Sequence, residues 1–173
     1  MNDAAARSLS AAGGDGAALS PQLLASGLQD MIAQGVVLRG DVLTFASHAD
    51  EAEAAPGRFA DLTLWECSAS SFHLDDVVPV QVGHLDDGEP VIGEADQVLM
   101  LRHGLGFAYE VVRLVGELPV PVPVRCVIGA DSTGGTFRFH RARLGESWLA
   151  ADLDAYRRQK IIAVDSGPTP PAP

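Results

Sequence analysis

The sequence predicts an α+β fold: a mostly antiparallel β-sheet flanked by an N-terminal helix and by a C-terminal helix that a last strand follows. Three observations support this class. A helix with clear start and stop signals opens the body of the chain. Short apolar segments separated by Gly-, Asp- and Pro-containing turns come next, as is typical of antiparallel strands. A second helical pattern and one more apolar run close the chain, so helices and strands are segregated along it.

The first element is a helix between Ser20 and Gly35. Ser20 is a good N-cap, Pro21 suits the first helical position, and Gly35 suits the position just after the last turn. Apolar side chains recur at helical spacing and form one stripe. The stripe consists of Leu24, Leu28, Met31 and Ile32.

Strand candidates fill the middle of the chain. Residues 36–46 predict either two short strands about an Arg-Gly-Asp turn at 39–41 or one strand with a kink. The Gly-rich segment 129–135 lies between two apolar or aromatic runs, which predicts a hairpin. The further strand candidates are 62–67, 77–85, 90–92, 98–102, 109–115, 122–130 and 136–143.

A second helix is predicted over residues 147–159, where Leu149, Leu153 and Tyr156 share one helical face. The apolar run 160–165 then forms the last strand. Neither end of the chain has an apolar face that would offset the entropy cost of ordering it. We therefore expect one domain with a flexible tail on each side. The boundaries are 1–19 for the first tail, 20–165 for the domain and 166–173 for the Pro-rich second tail.

The chain has 173 residues and a net charge of −11, which suits a single acidic domain. The charge is unevenly distributed, since residues 1–100 carry 16 acidic and 3 basic side chains. Such a surface repels phosphate backbones, so the sequence argues against a nucleic-acid partner and favours a basic protein partner. No apolar run is long enough to span a bilayer, and the sequence predicts no membrane partner.

The two cysteines, Cys67 and Cys126, lie in apolar segments and form no CxxC pair. Residues 1–20 lack the charged and apolar regions of a secretory signal. Cysteines of this kind predict reduced, buried thiols in a cytoplasmic protein. The sequence predicts no zinc site and no cofactor.

The tetrapeptide His-Leu-Asp-Asp occurs twice, at residues 73–76 and 84–87. In one interpretation His73 and His84 bind a metal ion with the aspartates. An extended strand between them would separate the histidines by about 36 Å, which excludes a shared ion. In the other, both copies are turns, because Asp-Asp-Gly at 86–88 lies between two apolar runs. The sequence favours paired turns and predicts no metal site.

Two groups of side chains are candidate binding residues. The first consists of acids in predicted turns, where clustered carboxylates would steer a cationic partner: Asp75, Asp76, Asp86, Asp87 and Glu89. The second is the face of strand 136–143 that carries Arg138 and His140. This face has three interpretations: a solvated strand face, an anion- or ligand-binding patch, or one half of a homodimer contact.

The sequence contains none of the common catalytic motifs, and no catalytic residue is assigned. It favours a non-catalytic acidic protein that recognises a basic protein partner, of the inhibitor, toxin-immunity or chaperone type. The alternative is a small enzyme or ligand-binding regulator with a pocket between the sheet and its helices. The polar lining of that pocket would be Glu110, Asp131, Arg138 and His140.

Overall fold

The structure, a computed structural model, describes residues 1–11, 18–85 and 87–167. It confirms the α+β class, with mostly antiparallel sheets, an N-terminal helix and a C-terminal strand. The α-helices of this part of the chain are α1 (Asp3–Ala11), α2 (Ser26–Gln34), α3 (Leu62–Ala69) and α4 (Glu94–Gly116). The strands are β1 (Val36–Arg39), β2 (Val42–Phe45), β3 (Phe72–His73), β4 (Val82–His84), β5 (Pro90–Ile92), β6 (Val124–Asp131), β7 (Gly134–Arg141) and β8 (Lys160–Asp165). Short 3-10 helices lie at Pro21–Leu23, Ala46–Ala54, Leu74–Asp76 and Leu153–Ala155.

The centre of the fold is a four-stranded antiparallel sheet in the order β3–β7–β6–β8. The hairpin of β6 and β7 and the final strand β8 are where the sequence predicts them, as is the pair β1–β2. Helix α4 packs on one face of this sheet, and Phe107 of α4 lies edge-on to Phe137 of β7 with ring centroids 4.8 Å apart. Most of the buried apolar side chains belong to this one core.

The opposite face of the sheet is covered by the segment predicted as the C-terminal helix, and that helix prediction is wrong. Only Leu153–Ala155 is helical there, as a 3-10 turn. Leu149 packs on the sheet with Val127 and Ile161. The Asp152 carboxylate accepts a hydrogen bond from the Asp154 N–H at 3.0 Å. Side-chain bonds of this kind compete with helical backbone bonds, and the apolar side chains reach the sheet without a helix.

Helix α4 replaces the strands predicted at 98–102 and 109–115, so both predictions are wrong. The helix is buried around most of its circumference, which removes the polar stripe that marks an amphipathic helix. Two of its glycines, Gly104 and Gly106, are required by close packing. A Cβ at Gly104 would lie 2.7 Å from Ile128 Cγ2, and one at Gly106 would collide with the Leu19 carbonyl oxygen.

Helix α3 also occupies a predicted strand, at 62–67. The Asp61 carboxylate accepts a hydrogen bond from the Leu64 N–H at 2.7 Å and caps the helix. The alternating apolar pattern at the start of this segment is typical of a strand, but the cap residue directs it into a helix. The predicted strand 77–85 is reduced to β4 at its C-terminal end.

The predicted first helix is present but divided. Residues 21–23 form a 3-10 turn, and α2 begins only at Ser26. Ser20 makes no side-chain capping bond. His103 Nδ1 accepts a hydrogen bond from the Ala25 N–H at 3.3 Å instead, and burial lowers the pKa of His103, which favours the neutral acceptor form. Gly35 ends the helix with a φ of +80°, as its position predicts.

The N-terminal segment is packed against the sheet, which corrects the expected tail for residues 2–11. Asn2 donates its backbone N–H to the Ile161 carbonyl at 2.9 Å, and its Oδ1 accepts the Ile161 N–H at 3.0 Å. The amide therefore takes the place of a neighbouring strand at the edge of β8. Ala5 and Leu9 of α1 are buried. Residues 12–17 and 168–173, which belong to the predicted tails, lie outside the described residues.

Replacing Asn2 with alanine is expected to lower the free energy of unfolding by about 1–3 kcal/mol, because the buried Ile161 N–H would lose its acceptor. Asp3→Ala is the matched control. The Asp3 side chain is mostly exposed and lies 3.9 Å from Arg7, so its removal should cost less than about 0.5 kcal/mol. Urea denaturation of both variants provides the measurement. Equal effects would show that the Asn2 amide does not anchor the segment.

None of the helices that the structure describes is long and apolar enough to cross a membrane. The main core, the covering segment 147–156 and helix α1 together enclose the central sheet. The β4–β5 hairpin does not belong to the central sheet. It forms a separate two-stranded sheet beyond the end of β6 and β7.

Candidate functional site

The β6–β7 hairpin contacts two segments: the turn at residues 74–76, in the first His-Leu-Asp-Asp copy, and the β4–β5 hairpin, which contains the second copy. Asp75 Oδ1 accepts a hydrogen bond from the Gly135 N–H at 2.8 Å. The Ile92 N–H donates to the Ser132 carbonyl at 2.8 Å, which fixes the base of the β4–β5 hairpin. The structure therefore brings the 74–76 turn and the hairpin to the same end of the central sheet.

The second copy forms a hairpin turn, as the sequence predicts. Gly83 lies opposite Val91, and the Leu85 N–H donates to the Glu89 carbonyl at 2.9 Å. Asp87 Oδ1 accepts the Glu89 N–H at 3.2 Å, and Gly88 has a φ of +86°, a conformation that glycine adopts without strain. Asp87 thus supports the turn and is exposed at its tip.

The predicted acidic residues have different surroundings. Asp76, Asp87 and Glu89 are exposed, whereas Asp75 is partly buried by its bond to the backbone. Asp86 lies outside the described residues. Glu94, at the start of α4, belongs to the same end of the molecule and pairs with Lys160 at 2.9 Å. Hydrogen bonds from Ser8 and Lys160 lower the pKa of Glu94, which keeps it charged.

The hairpin also carries apolar side chains that sequence reasoning did not assign to the site. Leu85 is 53% exposed and Val91 is 37% exposed. Strand alternation and the register place both on one face together with Glu89. The other face contains Ile92, which is buried against the body of the protein. The outward face is therefore apolar in its middle and acidic at its tip.

The Arg138 and His140 pair does not form the open patch that the sequence suggested. His140 is only 2% exposed, and its Nδ1 donates to the Arg141 carbonyl at 2.8 Å. Arg138 is covered by the ring of Trp148, with its guanidinium carbon 4.5 Å from the ring centroid. Burial lowers the pKa of His140. The sequence pattern identified the strand face correctly but not the segment that covers it.

A buried ion pair lies beside this face and was missed in the sequence. Glu66 of α3 is fully buried, and its carboxylate oxygens accept both terminal nitrogens of Arg143, at 2.7 and 2.8 Å. The same oxygens accept the N–H groups of Leu43 at 2.7 Å and Arg141 at 2.8 Å. Glu66 therefore joins β2, α3 and β7. With four donors on two oxygens, this carboxylate serves the fold and not proton transfer.

The other residues suggested for a ligand pocket are also separated and engaged. Glu110 accepts a hydrogen bond from Arg113 at 2.8 Å on the surface of α4. Asp131 accepts hydrogen bonds from Thr133 within its own turn. Among residues 1–11, 18–85 and 87–167, no group of three or more His, Cys, Asp or Glu side chains is arranged to hold a metal ion.

Comparison with known proteins places the chain in a family. The model of the Uncharacterized protein PM0498 family matches residues 15–170, and the chain therefore belongs to this family. No curated protein and no solved structure matches the chain.

Proposed function

We propose that this member of the Uncharacterized protein PM0498 family is a non-catalytic binding protein for a basic protein partner. The observation that carries the proposal is the outward face of the β4–β5 hairpin, where exposed Leu85 and Val91 adjoin the acidic tip of Asp87 and Glu89. Clustered carboxylates steer a cationic partner to the surface, as expected for an inhibitor, a toxin-immunity protein or a chaperone of a basic protein.

The apolar side chains support a contact surface. Leu85 and Val91 are largely exposed to solvent, so they add little to the stability of the fold. The hairpin has only two strands and is marginally stable by itself. Covering them on binding would remove apolar area from water, and exposed apolar side chains with a polar rim are typical of interaction sites. The contact would be strongest with an apolar side chain on the partner.

The charges support a cationic partner. Asp87 and Glu89 lie two residues apart at the hairpin tip, where the Asp87 carboxylate is 3.2 Å from the Glu89 backbone nitrogen. Charges clustered in this way are screened less at physiological salt, where the Debye length is about 8 Å, than charges far apart. Lys160, at the same end of the molecule, is already paired with Glu94. A partner segment with an apolar centre flanked by lysine or arginine complements this surface.

We also propose a cytoplasmic location. Cys67 and Cys126 are both free and buried in the described structure. Burial raises the pKa of the Cys67 thiol to about 12, so it is protonated and unreactive at neutral pH. Two protected thiols are compatible with a reducing compartment.

The proposal predicts where a cationic amphipathic peptide binds. In a titration with a helical peptide that carries leucines on one face and lysines on the other, backbone amide NMR shifts should change mainly at residues 82–91 and 75–76. A peptide with glutamates in place of the lysines is the control and should cause no changes, because like charges repel. Shifts centred elsewhere would contradict the proposal. Shifts that depend on protein concentration without peptide would indicate a homodimer contact instead.

A further inference from the structure

A cleft on another side of the molecule lies between α2, β2, the 3-10 segment Ala46–Ala54 and the C-terminal end of α3. It has an inner chamber of about 220 Å³ and an outer chamber of about 510 Å³. His48, Ala69 and Ser71 line both chambers, so the two are adjacent. No predicted binding residue belongs to this cleft.

The local fold explains why an opening exists here. β3 has only two residues, so the edge of β7 that faces away from β6 has no neighbouring strand beyond Phe137. Ser70 substitutes for that strand, since its hydroxyl accepts the Phe139 N–H at 2.9 Å and donates to the Phe139 carbonyl at 2.7 Å. The 3-10 segment is interrupted at His48, where φ is −109° and ψ is 16°. This interruption places the imidazole at the junction of the two chambers.

The inner chamber combines apolar walls with uncharged polar groups. Its apolar walls come from Met31, Phe45 and Phe72. Gln34, Ser47, His48 and Ser71 supply hydrogen-bonding groups, and among the described residues no charged side chain lines this chamber. His48 lines both chambers, and its Nδ1 has no hydrogen-bond partner among the described residues, so turning the imidazole to bring this atom to the cleft would break no hydrogen bond of Nδ1. A buried polar atom without a partner is uncommon in native proteins.

We propose that this cleft binds a small, neutral, planar ring that carries hydrogen-bonding groups, such as an N-heterocycle or an aromatic carboxamide. The volume of the inner chamber fits a single ring, and the aromatic walls of Phe45 and Phe72 favour a flat one. The amide, hydroxyl and imidazole groups supply both donors and acceptors.

The absence of charge in the inner lining selects against an ionised ligand. Burying an ion without a paired charge is costly, whereas a neutral polar group needs only hydrogen bonds. The carbonyl end of α3, which reaches the cleft at Ala69, further disfavours an anion.

The outer chamber would hold a substituent of the ring. It is lined by Trp65 and Phe59 and by the oppositely charged Glu51 and Arg58. Arg58 lies over the Phe59 ring, with 5.5 Å from its guanidinium carbon to the centroid. Because one acid and one base lie at the rim, this chamber does not select for net charge, and the neutral inner chamber decides which ring is bound.

The test uses the full chain and compares nicotinamide with nicotinate, which share one ring and differ in charge. Uracil is a second neutral ring, and toluene is a ring of similar size without hydrogen-bonding groups. In titrations followed by amide NMR shifts, nicotinamide or uracil should bind with shifts at residues 45–48 and 69–72. Nicotinate and toluene should bind at least about tenfold more weakly, the cost of an unpaired charge or of lost hydrogen bonds.

His48→Ala should weaken nicotinamide or uracil binding about tenfold, the effect of one lost buried hydrogen bond. His84→Ala, which removes an exposed histidine on the hairpin, is the matched control and should leave binding unchanged. Ala69→Leu would narrow the junction of the chambers and should abolish binding, which keeps the test decisive if His48→Ala is unstable. Binding of neither neutral ring, equal binding of nicotinate, or binding unaffected by both cleft variants would overturn the proposal.

Discussion

Replacing Glu66 with glutamine is expected to lower the free energy of unfolding by about 3–5 kcal/mol, because the largely buried Arg143 would lose its close counterion and keep only Glu146 at 3.9 Å. The glutamine NH2 group would also replace one carboxylate oxygen with a donor. It would then face N–H groups of Arg143 and of the backbone, which need an acceptor. Leu43 and Arg141 currently donate their backbone N–H groups to this carboxylate. One substitution therefore affects β2, α3 and β7 together.

The control for this variant is Glu146→Gln. Glu146 lies 3.9 Å from the same arginine but is 27% exposed, and its Oε2 accepts the Thr63 N–H at 3.1 Å. Glutamine keeps that acceptor, so the loss should stay below about 1 kcal/mol. Urea denaturation curves measure both. A loss below about 1 kcal/mol for Glu66→Gln would show that the buried pair is not a structural centre of the fold.

Turn residues and helix-ending residues in the sequence were sufficient to predict the elements that they bound. The β6–β7 hairpin, β1–β2 and β8 follow from turn residues between apolar or aromatic runs. Gly35 ends α2 because its positive φ suits glycine. Helix α4 could not be read in this way, since it is buried on most sides and its glycines resemble turn residues in the sequence. Residues distant in sequence, above all Ile128 and Leu19, explain why Gly104 and Gly106 are needed.

The candidate sites can be divided in the same way, into features that local sequence signals predict and features that depend on distant contacts. Asp-Asp-Gly at 86–88 predicts an exposed acidic turn, and Asp87 is exposed at the hairpin tip. The Arg138 guanidinium is covered by Trp148, whose segment sequence periodicity assigned to a helix. The cleft at His48 has no sequence motif, because it arises where β3 is too short to cover the edge of β7.

The second large effect concerns association with a cationic partner. The double substitution Asp87→Asn with Glu89→Lys should reduce the association rate constant for the leucine–lysine peptide about tenfold or more at low salt, because clustered charges steer encounter. Asparagine at position 87 keeps an oxygen that can accept the Glu89 backbone N–H, so the turn is retained. The stability of the fold should change by less than about 0.5 kcal/mol.

The matched control makes the same change of charge at another exposed acidic segment. Asp50→Asn with Glu53→Lys alters the 3-10 segment Ala46–Ala54, away from the hairpin. The control variant and the hairpin variant have the same net charge, so an effect of total charge alone would be equal in the two proteins. We expect the control to change the association rate constant less than about twofold, since distant exposed charges are screened.

The stopped-flow association rate constant of these three proteins, measured from low salt to about 1 M salt, tests the proposed binding surface most directly. The hairpin site predicts that the hairpin variant associates about tenfold more slowly than the unsubstituted protein and the control at low salt. It also predicts that the three rates converge as salt rises and the Debye length falls to about 3 Å. Equal slowing of both variants, or no slowing of the hairpin variant at low salt, would contradict a partner site on the β4–β5 hairpin.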